Sequence, residues 1–179
     1  MADTAAGWFP VFTLLLGYAT KAVSDWVQHR RTTEREREAR LAARQEELAE
    51  RRAAFQRQTL LDLQEAMMQL VRTAGAMHHQ DVMAFRKTGV WQKQLFGEEL
   101  AENSRLANAR TSMLKVRVRD DSVRELVQAV KNHASAAGIC GSQEEGDRAM
   151  NAMGAAFERL NQRIGEVLRQ LDDAERPGV

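Results

Sequence analysis

Cysteine occurs once among the 179 residues, proline twice, and aromatic side chains make up only 6% of the chain. The lone Cys140 excludes an internal disulfide, and Cys-x-x-Cys metal motifs are absent. Alternating β-branched runs are missing except at Lys115-Val-Arg-Val-Arg119, too short and isolated to build a sheet. Neither glycine nor proline falls between Gly17 and Gly75, so 57 consecutive residues meet no helix breaker. Lysine is scarce too, with 21 Arg against 5 Lys, and the first seven residues carry no basic side chain at all. What fills the chain instead is Ala, Leu, Glu, Gln and Arg, the better helix formers, and the expected class is all-α.

The longest apolar stretch lies near the start, from Phe9 to Thr20, and is bracketed by Trp8 and Trp26. On one helix at 1.5 Å per residue these indoles stand about 27 Å apart, close to the roughly 30 Å hydrocarbon core of a bilayer. Indole rings favour the headgroup level, which predicts a slightly short membrane-anchoring helix over residues 1–28. The residues expected to make the anchor are Trp8, Phe9, Phe12, Leu14, Leu15, Leu16, Tyr18 and Trp26. Lys21 can snorkel to the interface and Asp25, four residues on, can pair with it. The missing basic start and cleavage site argue against a signal peptide; an interfacial amphipathic helix or a buried helix are the other readings. Arg30 and Arg31 place the C-terminal side in the cytoplasm and the N terminus outside, as a single pass. The Arg- and Ala-rich composition resembles that of proteins from high-GC bacteria, which suggests a bacterial inner membrane. Thr13, Gly17, Thr20 and Ser24 form a small-residue face of the kind along which membrane helices associate, so a homo-oligomer is an open expectation.

Residues 29–54 read as a charged helical stalk. Leu41 and Leu48 are the only large apolar residues from His29 to Arg52, and Glu36–Arg40 and Glu47–Arg51 have the i,i+4 spacing of helix ion pairs. One apolar position per heptad is too thin for a two-stranded coiled coil, so the segment is expected to act as a spacer. Thr33 and Glu36 have capping-box spacing, and a helix break there is one expectation.

Residues 55–174 are expected to form an antiparallel four-helix bundle, followed by a disordered tail at 175–179. Leu63, Met67, Leu70, Ala74 and Met77 carry a 3.6-residue period, and Lys87-Thr-Gly-Val90 supplies a turn. Trp91, Leu95, Phe96, Leu100, Leu106, Met113 and Leu114 outline a second helix ending near Val118. Ser122 with Glu125 predicts a capping box ahead of Val123, Leu126, Val127, Val130 and Ala134; Ser142 with Glu145 predicts another after the 138–146 loop. Met150, Met153, Phe157, Leu160, Ile164, Val167 and Leu171 alternate spacings of three and four, and a charge at Phe157 is expected to unfold the domain.

Chemistry is sparsely signalled. No Glu-x-x-His, His-Glu-x-x-His or glycine-rich phosphate loop occurs, so no enzyme activity, cofactor or metal is expected. The nearest ligand-like group is His78-His79-Gln80-Asp81, with His133 or Cys140 as conceivable additions; histidines near a helix end more commonly face water. Residues 105–131 carry seven basic against three acidic side chains, and Arg110, Lys115, Arg117, Arg119 and Arg124 mark the one candidate patch for an anionic partner. Without a reader motif or interleaved aromatics, nucleic acid is not the expected partner. The function these features suggest is a membrane-anchored interaction or scaffold protein whose partners are membrane lipid and another protein. The alternatives are a membrane-active oligomer gated by the bundle, or a soluble ligand- or nucleic-acid-binding helical protein.

Overall fold

The computed structural model describes the backbone of residues 9–93 and 95–175, and the side chains of Arg30, of residues 32–93 and of residues 95–174. Its elements are α1 (Phe9–Thr88), α2 (Glu98–Lys115), α3 (Asp121–Ile139) and α4 (Gln143–Glu175), with no strand among the described residues. The all-helical expectation therefore holds. The chain divides into two compact units, Met1–Glu50 and Arg51–Val179.

In the first unit, residues 34–50 expose every side chain, including Leu41 at 59% and Leu48 at 49%. Charged pairs at i,i+4 lie along it, Arg30–Glu34 at 3.3 Å and Glu36–Arg40 at 3.7 Å. Each such pair stabilises a helix by about 0.2–0.5 kcal/mol, so a water-facing helix here rests on propensity as much as on pairing. Helix α1 runs through Thr33–Glu36 unbroken, so the capping-box spacing starts no new helix. A cap forms only where its Ser or Thr leaves helical geometry, and no breaker in this stretch forces that. Among the described residues no helix is long and apolar enough to cross a membrane. Trp8 lies outside the described residues, as do the side chains of Phe9, Phe12, Leu14, Leu15, Leu16, Tyr18 and Trp26 and of the Thr13, Gly17, Thr20 and Ser24 face. The tail expected at 175–179 lies outside them beyond Glu175.

The second unit is a helical bundle. Its core joins Leu60, Leu63, Met67 and Leu70 of α1 to Ala107 and Leu114 of α2, Val123, Val127 and Val130 of α3, and Met153, Ala156, Leu160 and Ile164 of α4. Cross-helix bonds show the chain reversing at every connection. Glu65 of α1 meets Arg110 of α2, while Gln56, further back, meets the peptide groups of Arg117 and Arg119 beyond the end of α2. Lys115 and Ser112 of α2 meet Gln128 and Lys131 of α3. Arg57 and Gln64 of α1 meet Asp172 and Asn161 of α4, so α1 and α4 are antiparallel as well.

Local chemistry explains most of the boundaries. Helix α1 ends where Gly89 takes φ +67°, a left-handed conformation that costs glycine nothing, and its N–H reaches the Phe85 carbonyl at 2.8 Å. Ser142 caps α4 by accepting from the Glu145 N–H at 3.2 Å, and the Glu145 carboxylate returns to the Gly141 N–H at 2.9 Å. At α3 the expected cap is corrected: Asp120, not Ser122, accepts from the Val123 N–H at 2.8 Å. Asp120 also binds Arg163 of α4 at 2.7 Å, a tie that a serine two residues later could not make.

Two further expectations need correction. The second helix begins at Glu98, not Trp91, and residues 89–97 form a connection in which Leu95 is fully exposed at 102%. Within α2 it is Ala107, Thr111 and Leu114 that are buried, whereas Leu106 and Met113 face outward. Small side chains at 107 and 111 let α2 approach its neighbours closely, which selects their stripe over the bulkier one beside it. In α4 the periodic reading holds, but Phe157 sits at the core's edge while Leu160 is 0% exposed, so Leu160 is the stricter test of the core.

Two outcomes follow. Leu160→Ala is expected to lower the unfolding free energy by about 2–5 kcal/mol in urea titration, with an unchanged midpoint refuting the core assignment. The Arg163 guanidinium outweighs burial, with the Val123 N–H adding to it, and holds the Asp120 carboxyl below the usual carboxylate range. Its contribution is thus fully present above the unfolded value of about 4 and is lost as pH falls through the lower folded value. The melting temperature of the native protein should therefore fall more steeply below that pH than that of Asp120→Asn, and parallel pH profiles would rule the linkage out.

Candidate functional site

The connection at 89–97 and the α3–α4 loop meet the end of α1 in one polar cluster. Asp81, on the last turns of α1, is 2% exposed, and its carboxylate accepts from Lys93 Nζ at 2.9 Å. Lys93 also donates to the Ala137 carbonyl at 2.9 Å and lies 3.2 Å from Cys140 Sγ. One ammonium therefore joins three segments far apart in sequence. Burial pulls Lys93 down, but the Asp81 carboxylate and the Cys140 sulfur outweigh it, and the net shift is upward from the ordinary lysine value.

Trp91 closes the other side of the cluster. Its indole N–H donates to the Cys140 carbonyl at 3.2 Å, and its ring packs edge-on against Phe85 with centroids 5.8 Å apart. Lys93 Nζ stands 5.2 Å from the indole centroid, so ring and ammonium support each other. The His78 ring is tilted against Trp91, and its Nε2 lies 2.8 Å from an Asp147 carboxylate oxygen on α4. Its other nitrogen, Nδ1, is buried and has no hydrogen-bond partner. Gly146 leaves room for the ring: a Cβ there would fall 2.5 Å from His78 Cε1 and 3.0 Å from both His78 Nδ1 and Cys140 Sγ.

A cavity of about 330 Å³ adjoins the cluster among α1, α2 and α3, bounded by Leu70, Met77, Phe96, Arg105, Lys131 and Ala134. Burial holds the Lys131 ammonium below its ordinary value, with the nearby Lys115 charge acting the same way. Asp81 lines this cavity too, so the polar cluster and the cavity share one carboxylate.

Three side chains of the basic patch have local partners. Arg110 binds Glu65 at 2.8 Å, Lys115 binds Gln128 at 2.6 Å, and Arg124 binds Asp121 and donates to the Val118 and Arg119 carbonyls. The Arg117 and Arg119 side chains are exposed. Of the ligand-like residues, His78, Asp81 and Cys140 come together, whereas His79 faces outward and His133 makes no hydrogen bond with the group. Among the described residues no three His, Cys, Asp or Glu side chains gather as a metal site would require. Lys93, Trp91 and Asp147 are the members that sequence reasoning missed. Lys93 and Trp91 fell in what read as the start of α2, and no local spacing links Asp147 to His78.

Comparison with family models, with curated proteins and with solved structures finds no match to this chain.

Removing the central ammonium should be costly. Lys93→Met is expected to destabilise by about 1–3 kcal/mol, because the Asp81 carboxylate stays buried while losing its charged donor. Combining it with Asp81→Asn should recover part of that loss in denaturant titration, and strict additivity would show that the two side chains are not coupled.

Proposed function

We propose that this chain is a single-pass membrane protein whose charged helical stalk, residues 29–54, carries a cytoplasmic helical bundle that binds other proteins. The observation that carries the reading is the make-up of α1. Its backbone is helical from Phe9, through the apolar segment, into a stretch where every described side chain of residues 34–50 faces water. A water-facing helix with no buried stripe of its own reads as a spacer, and the indole pair with the flanking Arg30 and Arg31 gives it an anchored end in a bacterial inner membrane. Membrane lipid is then one partner. The other is a protein, for which the bundle end with its exposed Val90 (60%), Leu95 (102%) and Ile139 (84%) offers apolar contact area. The reading assigns the protein no enzymatic role.

One experiment tests both halves. Membranes bearing the full chain with a photo-crosslinking residue at position 95 are washed with alkaline carbonate and irradiated. The full chain should stay in the pellet, a version lacking residues 1–28 should appear in the wash, and irradiation should yield a discrete protein adduct. Recovery of the full chain in the wash would remove the anchor. Adducts from a probe at Glu158, with none from position 95, would remove the bundle end as the binding surface.

A further inference from the structure

We propose that the outer face shared by α1 and α2 in the bundle is a dimer interface, its occupant a second copy of this chain related by a two-fold axis along the helices. In that pairing Glu65 of one copy meets Arg110 of the other. The face lies wholly within the bundle, differs from the bundle end, and is independent of the membrane reading.

The two helices present the same pattern outward. Leu61, Glu65 and Met68 on α1, and Leu106, Arg110 and Met113 on α2, each set a charge with a leucine four residues before it and a methionine three after. Residues at those spacings share one face of a helix. The four apolar side chains are between 45% and 58% exposed, and Glu65 and Arg110 are exposed as well. The core takes Ala107, Thr111 and Leu114 from α2, so the bulkier stripe beside them is left outside. Single exposed apolar side chains are ordinary on a protein surface, whereas four in two matched sets form the kind of patch that marks an interface.

Cross-helix contacts fix how the sets lie. Glu65 meets Arg110 at 2.8 Å, and Gln56, earlier on α1, meets the Arg117 carbonyl beyond the end of α2, so the helices run antiparallel with the two charges level. At about 1.5 Å per residue, Leu61 lies about 6 Å back along α1 and Met113 about 4.5 Å forward along α2, which brings them nearly level too. Met68 and Leu106 stand in the same relation on the other side of the ion pair. Each half of the face is thus the counterpart of the other, apolar against apolar and acid against base.

A two-fold axis along the bundle stacks α1 of one copy on α2 of the other and keeps those levels. Leu61 then meets the partner's Met113, Met68 the partner's Leu106, and Glu65 the partner's Arg110, each contact occurring twice, as an isologous interface requires. Charge selects a second copy as the occupant. A face with one acid and one base side by side is its own electrostatic complement under that rotation, so like charges are kept apart without help from another protein. The Glu65–Arg110 pair, which contributes little as an exposed contact within one chain, becomes half of a covered square of alternating charges.

The test uses the full chain in density-matched detergent, with mass read by sedimentation equilibrium. The native chain should dimerise with rising concentration. Glu65→Arg makes the face doubly basic and Arg110→Glu makes it doubly acidic, and each variant alone should associate at least about tenfold more weakly. An equimolar mixture of the two should recover the dimer, although neither chain retains its own ion pair. A native chain that stays monomeric overturns the proposal and leaves the face to a different partner. A dimer indifferent to both reversals, or a mixture no more associated than its parts, overturns it as well by placing the contact elsewhere. Cross-linking decides the matter where a reversed variant does not fold. Differently tagged full chains, both Cys140→Ser, with Leu61→Cys on one and Met113→Cys on the other, should be joined by a short bismaleimide. No mixed adduct, or equal joining to Glu158→Cys on the exposed side of α4, would count against the interface.

Discussion

The bundle end hangs on a single buried carboxylate. Asp81 at 2% exposure cannot be left without compensation, and the Lys93 ammonium meets it from a segment twelve residues on. Lys93 lies outside the helices, where its ammonium reaches the carboxylate, the Ala137 carbonyl and the Cys140 sulfur together. Trp91 then falls where its indole can donate to the Cys140 carbonyl and pack on Phe85. The α3–α4 loop is thereby docked near the end of α1, and glycine at 146 leaves the His78 ring and the Cys140 sulfur close against the start of α4.

The other end of the bundle is secured by a different device. Gln56, buried at 8%, donates its amide to the Arg117 carbonyl and accepts from the Arg119 N–H, so one side chain satisfies both sides of the α2–α3 connection. Asp120, next in the chain, caps α3 and grips Arg163 of α4. The α1–α2 and α2–α3 connections are thus each tied to a helix they do not join, and the α3–α4 loop to the α1–α2 connection, a pattern that discourages fraying where backbone groups lack helical partners. Between these ends the core is plain aliphatic packing with two methionines, Met67 and Met153, at its centre.

The two ends differ in what they leave free. At the Asp81 end His78 Nδ1 is buried without a partner and Val90, Leu95 and Ile139 project outward, while Phe55 and Val116 project at the Gln56 end. Unmatched polar atoms and exposed apolar side chains both cost stability, and the bundle carries both: His78 Nδ1 and Thr111 Oγ1 are buried without partners, and apolar side chains are exposed at either end.

Much of the architecture was legible in the chain. Helical class followed from composition, and the inner faces of α3 and α4 and of the bundle part of α1 followed from a 3.6-residue period, because burial of one face imposes that period whatever the partner. Gly89 and Ser142 were legible as well, since left-handed backbone and a free helix N–H each call for particular residue types. The start of α2 was not, nor the choice of Ala107 and Thr111 over Leu106 and Met113, nor Asp120 over Ser122. In each case the deciding contact lies on another helix: Asp81 for Lys93, the neighbouring helices for Ala107, Arg163 for Asp120. The same holds for the candidate site, whose His78 and Cys140 are 62 positions apart in the sequence. The sequence by itself determined which stretches coil and which faces turn inward, because periodicity and capping act within a few residues. Only the tertiary structure decided which polar groups meet, because a buried charge selects its partner by proximity in space, and no local spacing encodes that.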